Sequence, residues 1–82
     1  MEKRELARKV AIFATMNNLF RKSVKIDEQI IERWLYDGWF IEYLIQVLHK
    51  AKELKGIDFE ELTRLIKELE KIRYECVIDE NL

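Results

Sequence analysis

The stretch IIERWLYDGWFIEYLI, residues 30–45, decides how this chain folds. It is apolar or aromatic around most of its circumference, and Asp37-Gly38 sits in its middle. Asp-Gly is a turn signal, and a glycine inside a helix costs about 1 kcal/mol relative to alanine. Helical spacing adds to the case. Ile30, Ile31, Trp34 and Leu35 share one face. Phe40, Leu44, Val47, Leu48, Ala51 and Leu54 share another, roughly 130° away on a straight helix at about 100° per residue. A break at Gly38 lets both sets reach one core. A straight helix needs a separate neighbour for each, and Ile41 and Ile45 continue the first face without a break. The balance tips toward the break.

Upstream, Asp27 is a candidate N-cap, with Ile26 and Ile31 spaced as a hydrophobic staple. Ser23-Val24-Lys25-Ile26 reads as a connection. Before it, a first helix is expected over about Glu2–Arg21, its apolar face built from Leu6, Val10, Phe13, Ala14 and Phe20 and widened by Ile12, Met16 and Leu19. Arg4, Arg8, Thr15, Asn18 and Lys22 line the other side, and Glu5 with Lys9 forms an i,i+4 pair. Downstream, Gly56 reads as a left-handed helix cap. Asp58 with Glu61 has the spacing of a capping box, and Ile57 with Leu62 that of a staple. A last helix follows, with Leu62, Leu65, Ile66, Leu69, Ile72 and Cys76 as its apolar stripe and Glu60–Arg64 as an exposed pair. Residues 77–82 read as a frayed tail.

The expected fold is therefore all-α: one domain over residues 1–82, a small antiparallel bundle of three long helical segments, the middle one kinked or broken near Gly38. Composition agrees. Two glycines and no proline in 82 residues leave little turn chemistry for a β-sheet. One cysteine excludes a scaffold stapled by internal disulfides. The N-terminus lacks the pattern of a secretory signal, and the most apolar run, Trp34–Leu48, carries Asp37, Glu42 and Gln46 and is shorter than the ~20 residues that cross a bilayer. A soluble, cytoplasmic protein with no membrane partner is expected.

Few residues invite chemistry. His49 with Glu53, and Glu42 further back, offers two or three ligands on one helix face. No HExxH pattern or cysteine pair completes a metal site, and a solvated histidine is the simpler reading. Cys76 follows Arg73, which would lower a thiol pKa, but a small residue ending an apolar stripe explains it better. Ser23 is the lone serine and has no supporting motif. Glu60-Glu61 and Glu68-Glu70 read as solvated carboxylates. No enzyme, cofactor, metal or small-molecule substrate is expected.

The net charge of −1 hides an asymmetry. Residues 1–25 hold seven Lys/Arg against two Glu, whereas residues 26–82 hold eight against fourteen Asp/Glu. Arg4, Arg8, Lys9, Arg21, Lys22 and Lys25 are the candidate phosphate contacts, with Asn17 and Asn18 nearby. The overall pI near 5.9 argues against a dedicated nucleic-acid domain. Ile31-Glu32-Arg33-Trp34, followed by Gly38 and a helix bearing Leu44 and Ala51, resembles the helical C-terminal module of bacterial and phage DnaD-type replication proteins. The resemblance covers about half the chain and assigns no functional residue. It implies an accessory nucleic-acid role of the replication or phage/plasmid type as the alternative function.

The aromatic surplus carries more weight. Trp34, Leu35, Tyr36, Trp39, Phe40 and Tyr43 are the candidate partner interface, because a helix apolar all round must be covered all round and a short bundle lacks the neighbours to do it. Tryptophan and tyrosine also supply hot spots at low entropic cost. The competing reading folds all of them into the monomer core through the break at Gly38. A protein–protein interaction or regulatory module is expected, closed by a second copy or by another protein.

Overall fold

The computed structural model describes residues 1–21 and 25–80, with side chains through residue 75. The described residues form four α-helices and no strand: α1 (Lys3–Met16), α2 (Glu28–Asp37), α3 (Ile41–Lys50) and α4 (Phe59–Glu80), with a single 3-10 turn, Ala51–Glu53, extending α3. The fold is all-α as expected. The count differs, because the middle segment is cut cleanly in two.

The cut falls at Gly38. Its φ of 73° lies in the left-handed region that a side chain resists, and its amide and that of Trp39 both turn back to donate to the Trp34 carbonyl. Phe40 takes a second left-handed conformation, φ 59°, and its carbonyl accepts the Leu44 amide that opens α3. Two such residues within three positions swing α3 away from the line of α2. Ile31 and Leu35 then reach the same core as Leu44 and Leu48, and all four are essentially inaccessible.

α1 is shorter than expected, ending at Met16 and not near Arg21. Asn17-Asn18 stops it. The Leu19 amide donates to the Ala14 carbonyl and the Asn18 amide to that of Thr15, with Asn18 at φ 52°. This is the Schellman pattern, with asparagine in the place glycine usually takes. The Asn17 side-chain amide donates to Phe13 O at 2.9 Å and closes the end. Ending there also changes the buried face. Ala7 is buried beside Leu6, Val10, Phe13 and Ala14, whereas Ile12 and Met16, expected to widen the apolar face, stand in solvent.

The caps read from sequence are present. Asp27 Oδ1 accepts from Ile30 N at 2.9 Å, and Asp58 Oδ1 accepts from Glu61 N at 3.1 Å. Gly56 is left-handed at φ 79°. The box at Asp58 is half-formed, because the Glu61 carboxylate turns to Arg64 at 3.4 Å; that contact replaces the expected Glu60–Arg64 pair. The Glu5–Lys9 pair forms at 3.5 Å. α4 runs on through Glu80, past Val77 where fraying was expected. Neither glycine nor proline interrupts it there. Cys76, expected to end its stripe, has its side chain outside the described residues.

α1 packs chiefly on α2 and α3 chiefly on α4, with fewer contacts between α1 and α4. One apolar cluster joins the pairs, drawn from Leu6 and Val10, Ile31 and Leu35, Leu44 and Leu48, and Leu62, Leu65 and Leu69. Among the described residues no polar or charged side chain is buried. The core therefore specifies its packing by shape alone.

Candidate functional site

Packing divides the aromatic stretch into two populations. Leu35 belongs to the core, at zero exposure, and is withdrawn from the interface proposed for it. It stands one turn from Ile31 on the buried face of α2. Ile41, Leu44 and Ile45 are also buried. The larger rings are not. Trp39 is 67% exposed, Tyr36 62%, Phe40 55% and Tyr43 41%.

Two of these rings, Phe40 and Tyr43, pack on Trp34. Trp34 is half-buried and packs its inner edge on the core. Its ring centroid lies 5.0 Å from that of Phe40 in a tilted pair, and 6.3 Å from Tyr43 edge-on. Both separations fall in the favourable range for aromatic pairs. Trp34 thus ties the end of α2 to the start of α3 and gives the exposed rings a fixed base. On the other side of α2, Lys3 Nζ sits 5.3 Å above the Tyr36 ring, a cation–π contact from the first turn of α1.

Phe40 is the strained member. A non-glycine residue in the left-handed region costs about 1–2 kcal/mol. The strain holds a large apolar ring outward, next to an exposed tryptophan. With 150–250 Å² for each fully exposed ring, Trp39, Phe40 and Tyr43 present together on the order of 300 Å². That is at the lower end of the largest patches on monomers, which are often functional, and less than half of one side of a standard interface at roughly 800 Å².

Tyr43 also borders a cleft of about 540 Å³ between the end of α1 and the end of α3. Leu19, Val47, Ala51 and Leu54 line its apolar part; Asn17, Asn18, Arg21 and Lys50 line its polar part. Sequence reading had singled out Asn17 and Asn18 but not this grouping. Leu54 was expected to turn inward with Leu44 and Leu48, yet is 45% exposed. The 3-10 turn tightens the backbone from Ala51 onward and rotates Leu54 off the α3 face.

The six basic candidates do not form one face. Arg4 and Arg8 share a shallow recess with Glu2, Glu5 and Glu28, so carboxylates stand among the guanidinium groups. Lys9 is paired with Glu5. Arg21 and Lys25 meet across a different recess, of about 380 Å³, with Thr15, Asn18 and Asp27. The length of α1, about 20 Å at 1.5 Å per residue, separates the two sets. Lys22 lies outside the described residues, as does Ser23.

Two further charge clusters tie the helices together. Arg73 Nη1 donates to both Glu42 oxygens, at 3.0 and 3.2 Å, and links α4 to α3. Burial pushes the Glu68 carboxyl up, but the Lys71 ammonium and the Met1 ammonium outweigh it and hold the group below its ordinary value. His49 and Glu53 are exposed. Among the described residues no three His, Cys, Asp or Glu side chains come together in a way that would hold a metal ion. No described helix is long and apolar enough to cross a membrane.

Comparison with protein-family models, with curated proteins and with solved structures finds no match to this chain. The likeness to DnaD-type modules thus rests on the short pattern around Trp34 and Gly38 alone.

Proposed function

We propose that this chain is a non-enzymatic interaction module that self-associates through the aromatic surface at the α2–α3 corner. The observation that carries the reading is the exposure of Trp39, Phe40, Tyr36 and Tyr43, with Phe40 and Tyr43 held on Trp34. The left-handed conformation of Phe40 helps to set the α2–α3 corner at a cost of about 1–2 kcal/mol, and it leaves the ring more than half in water. A partner that covers the ring recovers that energy. A symmetric pair is the commonest closure for such a patch, with each copy covering the other's rings. Sedimentation equilibrium tests the reading. Mass should rise toward twice the chain mass with concentration; a monomer at high micromolar concentration that captures no partner refutes it.

A second reading draws on the recess shared by Arg21 and Lys25. Two cations beside Thr15 and Asn18, against the single carboxylate of Asp27, suit a phosphate, and an accessory nucleic-acid role would begin there. The carboxylates among Arg4 and Arg8 weigh against α1 as a whole serving as that surface. A mobility shift at low salt that charge reversal at Arg21 and Lys25 removes would support this second role.

A further inference from the structure

The cleft beside Tyr43 joins an open apolar lining to positive charge without a carboxylate among its described lining residues. Its apolar part is open to solvent, with Leu54 and Tyr43 each more than two-fifths exposed and Leu19 and Val47 half-buried beneath them. Its charged groups are Arg21 and Lys50. In a chain with sixteen Asp and Glu, none of the described residues lining this cleft is a carboxylate. An occupant that matches both properties carries aliphatic side chains along one edge and negative charge beside them.

We propose that this cleft docks an acidic amphipathic helix from another protein. Its volume, about 540 Å³, lies within the range of binding clefts and admits a few anchor side chains at i, i+4 and i+7 spacing. Arg21 and Lys50 flank the anchors and meet carboxylates on either side of them. A single-stranded nucleic acid is the weaker fit. Tyr43 would stack one base, but Leu19, Val47 and Leu54 give the next bases no ring to stack on. The apolar residues of α4 from Leu62 through Ile72 are already core, so that stretch of a second copy does not supply the helix. The proposal stands apart from self-association, sharing only Tyr43 with that surface.

The test is fluorescence anisotropy with three labelled probes. The first is a peptide of about 16 residues, long enough for marginal helicity, with leucine anchors and glutamate flanks. The second has lysine flanks, and the third is an oligothymidylate of about 12 nucleotides. The full chain should bind the acidic peptide at least about tenfold more tightly than the basic one, and the Arg21→Glu/Lys50→Glu variant should reverse that order. Leu54→Ser should weaken the acidic peptide on an unchanged fold, checked by circular dichroism; Lys50→Glu alone serves if the double variant unfolds. Trp39→Ala should bind the acidic peptide as the unmodified chain does, even where it no longer self-associates. Equal binding of both peptides, no binding of the acidic peptide, or tighter binding of the oligonucleotide at the same residues overturns the proposal.

Discussion

Replacing Trp39 with alanine separates fold from association. Two-thirds of the residue is in solvent, so only about a third of a ~230 Å² side chain contributes to the monomer. At about 25 cal/mol per Å² the loss of monomer stability is at most about 2 kcal/mol, an upper bound because unfolded chains also bury some surface. In the associated state the remaining two-thirds is covered. A central interface tryptophan is worth about 2 kcal/mol or more on truncation, so Kd should rise at least about thirtyfold. In a symmetric pair both copies lose the ring and the effect grows. Sedimentation equilibrium across a micromolar-to-millimolar series, with a thermal melt on the same samples, reads both quantities. The expected result is a mass curve shifted to much higher concentration and a monomer that still folds. An unchanged mass curve would remove Trp39 from the contact. Collapse of the helical signal at low temperature would mean that its covered third does far more than the area indicates.

At Phe40 the usual order of small residues should invert: Phe40→Gly should be more stable than Phe40→Ala by about 1 kcal/mol, because only glycine is at ease in the left-handed region. Denaturant unfolding of the pair checks this, and alanine matching or exceeding glycine would refute the backbone assignment. Gly38→Ala should lower stability by about 1–2 kcal/mol for the same reason. Asp58→Ala removes the acceptor for the Glu61 amide and should lower stability by about 1 kcal/mol, with Asp58→Asn retaining most of it; equal loss in both variants would count against the cap. The Glu68 carboxyl is held below its ordinary value of 4.5, so its contribution to stability is present above that pH and lost as the pH falls through the lower folded-state value. Melting temperatures of the unmodified chain and Glu68→Gln should therefore differ at neutral pH and converge in acid, whereas a gap that widens in acid would reverse the assigned sign.

Much of the fold was legible because its signals are local. Asp27 and Asp58 lie next to the amides they cap, and the Asp37-Gly38 pair marks a left-handed turn wherever it stands. The stripe of α4 depends only on helical period, and Leu62, Leu65, Ile66, Leu69 and Ile72 are all buried as read. The early end of α1 was less legible. Apolar spacing continues through Leu19 and Phe20, and the stop comes from two asparagines whose hydrogen bonds return to Phe13 and Thr15, with the Leu19 amide returning to Ala14. Of the candidate interface, four rings and half-buried Trp34 are at the surface, and Leu35 is not.

The sequence by itself determined that the chain is helical, where three of its helices begin, and that its middle carries more aromatic area than one helix face can hide; it tipped toward a break at Gly38 without deciding it. These follow from backbone conformation and residue period, which act over a few positions. Tertiary structure alone decided which side chains of that middle are hidden. The turn between α2 and α3 leaves Leu35 in the core and Trp39 outside, and it depends on two left-handed residues and on the packing of α2 on α1 and of α3 on α4, far along the chain. Tertiary structure likewise set Arg21 and Lys50 across one cleft and left Arg4 and Arg8 among carboxylates, because charge in sequence carries no information about which helix end it will face.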